Sequence, residues 1–309
     1  MSLLAPGLAS PRAQDSVPSA RLISASRLAM PGDIDSNVPM TWDLVDGQWR
    51  LFAFTSWGGV PALSAGTGID RMERVGSVRV EPHPGWGVWI ESVVADDAGT
   101  WYGYYHHEIA AEICNTPNRY VVGGVGDLSA LFDPGRRDLY IFFSQYGRDP
   151  SQQGVGVARL AWADRDAPAG RITVWRDGAW MPASAGDYPA GTSLFPVTRP
   201  WHDGQEAADA FWGPSIHWNT SLERYVMLLN RTRDERFSNE GLYVSFAPTL
   251  DDPRAWSAPA SARASSSPAD PSTTSNSGDD EHSQRPTSNP QGVLEVGSWR
   301  LGVSRESGS

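Results

Sequence analysis

A chain of 309 residues with a formal net charge of −11 is ill suited to a nucleic-acid groove or an anionic membrane surface. No stretch reaches the ~20 apolar residues of a membrane-spanning helix, and a single cysteine, Cys114, excludes an internal disulfide. The N-terminal Met-Ser-Leu-Leu-Ala-Pro lacks the apolar run of a secretory signal, so a cytoplasmic location is the default expectation.

Residues 1–20 are small, polar and proline-containing, the composition of a disordered terminus, and 21–30 can form a lead-in strand. One pattern then recurs four times: a short strand, a polar turn and a very apolar strand. The first copy, within about 33–80, runs from Asp35-Ser-Asn-Val-Pro-Met-Thr-Trp through Asp46-Gly47 into Trp49-Arg-Leu-Phe-Ala-Phe. The second, within 84–125, joins Val88 to Val94 and Trp101 to Tyr105 across Asp96-Asp97-Ala98-Gly99, where glycine can take positive φ. The third, within 126–182, runs from Asp127-Leu-Ser-Ala-Leu-Phe-Asp through Pro134-Gly135 into Leu139-Tyr-Ile-Phe-Phe-Ser. The fourth, within 208–258, runs from Trp212-Gly-Pro-Ser-Ile-His-Trp through Asn219-Thr220 into Tyr225-Val-Met-Leu-Leu-Asn. Such copies predict radial repetition, an all-β propeller whose hairpins form the inner strands of successive blades. Residues 183–207 read as a long connection and 259–309 as a low-complexity, disordered tail. Four strong blades could close a ring; a five-bladed ring would need its last blade where the tail begins.

The first strand of a blade lines the channel, so Asp35, Glu91, Asp127 and the Trp212-Gly213-Pro214 segment are expected at one mouth. Such carboxylates suit cleavage of a glycosidic bond. One protonates the leaving oxygen, a second activates water or attacks the sugar, and a third tunes the pKa of its neighbours. The plainer reading is that each acid bonds local amides at a strand start or turn. His106 and His107 close the second hairpin facing opposite ways, so one of them could face the channel, or pair with Glu108. Trp89, Trp212 and Trp218, with His217, are candidates to hold a sugar ring, although packing should consume most of the 14 tryptophans. No HExxH, CxxC, P-loop or GxSxG pattern occurs; no cofactor is implied, and a channel cation stays open.

At these residues the chain resembles the five-bladed propeller glycoside hydrolases of the arabinanase and β-xylosidase type, nearest to uncharacterised bacterial members. The similarity covers roughly 33–258. It rests on Asp35-Ser-Asn-Val-Pro, Trp89-Ile-Glu-Ser-Val with Tyr102-Gly-Tyr-Tyr-His-His-Glu, Gly126-Asp127-Leu-Ser-Ala-Leu-Phe-Asp and Trp212-Gly-Pro-Ser-Ile-His-Trp-Asn. The resemblance implies a five-bladed-type propeller whose last blade is missing or degraded, with a general base or nucleophile at Asp35 and a pKa-tuning acid at Asp127. The family's general acid is a Glu just before Gly-Pro, and here that position is Trp212. Either Glu91 or Glu108 takes the acid's role, or the protein binds sugar without cleaving it. The expectation is a glycosidase of oligo- or polysaccharides acting through Asp35, Glu91 and Asp127. A non-catalytic carbohydrate-binding propeller is the rival; the partner in both is a carbohydrate, neither nucleic acid nor membrane.

Overall fold

The computed structural model describes residues 38–56, 60–80, 88–107, 125–133, 135, 137–146, 152–183, 191–197, 210–232 and 239–262. They form four antiparallel sheets in chain order. The first holds β1 (Met40–Val45), β2 (Gln48–Thr55), β3 (Ala62–Gly66) and β4 (Met72–Ser77). The second holds β5 (Val88–Ala95) and β6 (Trp101–His107). The third holds β7 (Val125–Phe132), β8 (Asp138–Tyr146), β9 (Gln153–Ala161), β10 (Thr173–Arg176) and β11 (Ala179–Pro182). The fourth holds β12 (Phe211–Asn219), β13 (Arg224–Thr232), β14 (Asn239–Ala247) and β15 (Ala260–Ser261).

Every strand pairs with its neighbour in sequence, so each sheet is a meander. Local chemistry sets the turns. Asp46 (φ 52°) with Gly47 (φ 76°), and Asp177 (φ 51°) with Gly178 (φ 84°), place two successive residues in the left-handed region, as tight hairpins require. Asp96 closes the β5–β6 turn by accepting the amides of Ala98 and Thr100 at 2.9 and 2.8 Å. In the first sheet β3 ends at Gly66 and β4 begins at Met72. The chain doubles back here because Gly66 sits against Arg71, where a Cβ would collide with the Arg71 carbonyl oxygen.

Among the described residues, three apolar clusters join consecutive sheets face to face. Phe52, Phe54, Val88, Ile90 and Trp101 join the first and second. Tyr102, Tyr104, Leu128, Ile141 and Phe143 join the second and third. Phe142, Val157, Met227, Leu229 and Trp256 join the third and fourth. Large rings meet edge-on at these seams: Trp101 lies 4.8 Å from Phe52, and Trp256 lies 5.7 Å from Phe142. Each such pair contributes ~1 kcal/mol beyond its buried area.

The first strands form a series of their own, β1 against β5, β5 against β7, and β7 against β12. Meander sheets that stack face to face and bring their first strands to a common axis are propeller blades. The fold is all-β and of β-propeller type. The expected strand over 21–30, residues 108–124 of the second repeat and everything after 262 lie outside the described residues.

Candidate functional site

A cavity of about 250 Å³ opens where the four first strands converge. Each sheet contributes three consecutive residues: 38–40 at the start of β1, 91–93 of β5, 128–130 of β7 and 214–216 of β12. Its size is slightly below the ~300 Å³ at which drug-sized ligand sites begin, which suits a small ligand.

A β-bulge shapes the wall on three sides. The register slips by one residue at Glu91 of β5, at Asp127-Leu128 of β7 and at Gly213-Pro214 of β12. A bulge takes residues out of the ladder and re-aims them, leaving amides that need other acceptors. Left-handed backbone marks two of these bulges, Asp127 at φ 51° and Gly213 at φ 62°.

Side chains of the preceding sheet accept the amides. Ser56 accepts from Ile90 N at 3.3 Å. Glu91 Oε2 accepts from Leu128 N at 2.8 Å, and Ser92 Oγ from Ala130 N at 2.9 Å. Ser144 Oγ accepts from Gly213 N at 2.8 Å, and Ser129 Oγ from Ile216 N at 3.2 Å. The hub is therefore stitched sheet to sheet by hydroxyls and one carboxylate. The motifs Ile90-Glu-Ser-Val, Asp127-Leu-Ser-Ala and Gly213-Pro-Ser-Ile all carry that signal, a serine before an aliphatic residue.

The expected site residues fall in several places. Glu91 lines the cavity and is 3% exposed. Asp127 is half-buried in the β7 bulge, next to the lining residue Leu128. Trp89 is 3% exposed, so its faces are taken by packing. Trp212 is half-buried one residue before the β12 bulge. His217 and Trp218 are exposed beyond the lining residue Ile216. Partial loss of water holds His217 below the ordinary histidine pKa, and Trp218 packs edge-on to Tyr225 at 4.9 Å. Asp35, Glu108 and the side chains of His106 and His107 lie outside the described residues. Among the described residues no group of three or more His, Cys, Asp or Glu side chains could hold a metal ion. None of the described helices is long and apolar enough to cross a membrane.

Fold and hub together define a propeller-type protein with a small central cavity. No family model and no curated protein matches the chain. Among solved structures it is similar to the endo-1,5-alpha-L-arabinanase from Thermotoga petrophila RKU-1, at 13% identity and a TM-score of 0.39 over 68% of this chain and 56% of that one. It is also similar to the alpha-L-arabinofuranosidase from Lactobacillus brevis, at 12% identity and TM-score 0.40 over 72% and 73% of the two chains. A third is the GH43_1 enzyme from Xanthomonas citri complexed with xylotriose, at 13% identity and TM-score 0.39 over 72% and 73%. The match thus spans little more than half the length of the arabinanase.

Proposed function

We propose that the protein is a glycoside hydrolase-like propeller that takes a sugar residue of an oligo- or polysaccharide at its hub. The observation that carries this reading is Glu91, a carboxylate in the wall of a cavity built by the first strands of four sheets. Hydrolysis needs a second carboxyl. Asp127 adjoins a lining residue, and Asp35 stands three positions before Val38 in the sequence, within ~10 Å of chain reach. In this scheme Asp35 is the base or nucleophile, Asp127 tunes it, and Glu91 protonates the leaving oxygen.

The test is release of reducing ends from arabinan, xylan and galactan fragments by the full chain and by Glu91→Gln. The amide oxygen of Gln can still accept from Leu128 N, so the variant should fold. Wild-type turnover that disappears in Glu91→Gln, with the sugar-induced rise in Tm retained, supports the scheme. Turnover unchanged in the variant removes Glu91 from it.

A second reading is favoured by two observations: Glu91 Oε2 is committed to Leu128 N, and Trp212 stands where the family's acid would be. A sugar-binding propeller without turnover would show the Tm rise and no reducing ends from either protein.

A further inference from the structure

The wall of the hub cavity is short, and hydrogen bonds seal it along two seams. Each of β5, β7 and β12 gives it three consecutive residues, roughly 10 Å of strand at ~3.3 Å per residue. Glu91 and Ser92, both in the wall, accept the amides of Leu128 and Ala130, also in the wall, at 2.8 and 2.9 Å. Ser129 then accepts the amide of Ile216 at 3.2 Å. Lining residues of one strand are thus bonded directly to lining residues of the next. Nothing the size of a sugar passes between β5 and β7 or between β7 and β12.

The make-up of the wall limits what it can hold. Its apolar part is aliphatic, chiefly Val38, Met40, Val93, Leu128 and Ile216. Aromatic rings are the flat apolar surfaces on which further units of a saccharide chain would stack, and among the described residues none belongs to this wall. Trp89 is buried in packing, and Trp218 is held edge-on against Tyr225. At about 250 Å³ the cavity also falls below the ~300 Å³ from which drug-sized ligands are bound. A disaccharide, with roughly twenty non-hydrogen atoms, already belongs to that larger class. A single ring does not.

We propose that the hub recognises one sugar unit at the end of a chain and not an internal stretch. An internal unit carries a neighbour on each side and needs two ways out of its site. With the wall closed along β5, β7 and β12, the form that fits is a terminal unit, joined to the rest of the saccharide by one bond. The inference rests on the sugar reading of the hub and narrows it to chain ends. Where the protein cleaves, each bond broken consumes one water and releases one monosaccharide.

Isothermal titration calorimetry on the full chain tests it with three ladders: xylose to xylotetraose, arabinose to arabinotetraose and galactose to galactotetraose. Glu91→Gln is titrated beside wild type, so that consumption of the ligand does not distort the comparison. In a ladder that binds, Kd should change by less than ~5-fold from one unit to four. A larger fall in Kd marks a cleft that reads internal chain; it overturns the inference and leaves the sugar reading standing. Ser215 tests the location. It lines the cavity and is exposed, and its hydroxyl makes no hydrogen bond among the described residues. Ser215→Leu therefore adds bulk to the cavity without breaking a bond, and should keep the wild-type Tm while weakening binding of the single sugar at least ~10-fold. Unchanged binding in that variant would put the sugar outside the hub and overturn the inference. Absence of binding in all three ladders removes the sugar reading itself, and this inference with it.

Discussion

Glu91 Oε2 accepts the backbone N–H of Leu128 at 2.8 Å, across the seam between the second and third sheets. The bulge at Asp127-Leu128 takes Leu128 out of the β7–β8 register, and the carboxylate supplies the acceptor. At the next seam the equivalent of Leu128 is Pro214, which has no N–H to satisfy, and the residue facing it, Leu128, has no polar atom in its side chain. The acid and the proline are two solutions to the same problem. Removing the acceptor strands a buried amide, so Glu91→Ala should cost ~1–3 kcal/mol, while Glu91→Gln should stay within ~1 kcal/mol of wild type. Urea unfolding monitored by tryptophan fluorescence measures both, and a neutral Glu91→Ala would show that the seam does not depend on this bond.

The serines make a milder form of the same contact. Ser129 Oγ accepts from Ile216 N at 3.2 Å and so ties β7 to β12. Ser129→Ala should lower stability by ~1 kcal/mol and accelerate exchange of the Ile216 amide selectively. Faster exchange spread evenly over β12 would mean general loosening, not the loss of one cap.

The turns and the apolar second strands are legible in the sequence because both are local. Asp46-Gly47 and Asp177-Gly178 specify left-handed pairs whatever surrounds them, and Leu139 to Phe143 is apolar enough to be interior in any fold. The bulges are not legible, since a one-residue slip exists only relative to the partner strand. Trp89 and Trp218 show the limit for the site. Both sit on strands beside hub motifs, yet one is 3% exposed and the other 45%. Cross-strand packing alone separates them. Glu91 stands out in the sequence as an acid needing a partner in an apolar strand. That the partner is a backbone amide of the next blade depends on how the sheets stack.

Packing at the third sheet makes a sharper prediction. Gly156 lies opposite Phe143 in the β8–β9 register, and a Cβ there would come within 2.5 Å of Phe143 Cε2 and 2.7 Å of Gln145 Oε1. Gly156→Ala should therefore destabilise by ~1–3 kcal/mol through overpacking. At Gly76, in β4, an added methyl would meet nothing within 4 Å. Gly76→Ala should be neutral or stabilising by up to ~1 kcal/mol, because it restricts only the unfolded chain. Thermal melts of the two variants should move in opposite directions or by clearly unequal amounts; equal losses would contradict the interior placement of Gly156.

Acid sensitivity should concentrate at Asp133, which organises the β7–β8 turn. Its Oδ1 accepts the amides of Arg137 and Asp138 at 2.7 and 2.9 Å, and its Oδ2 accepts that of Gly135 at 3.2 Å. Burial alone would push the carboxyl pKa up, but the three amides and the Arg137 guanidinium outweigh it and hold the group below its ordinary value. A folded-state pKa lowered in this way stabilises the protein fully above the unfolded-state pKa, near ~4. That contribution is lost as pH falls through the folded value. Asp133→Asn keeps one acceptor oxygen and removes the charge. It should melt below wild type at pH 7, and the gap should close progressively below about pH 4. Differential scanning calorimetry between pH 7 and pH 3 reads this directly. A gap of constant size across that range would assign the effect to the shape of the turn and not to the charge that the amides hold.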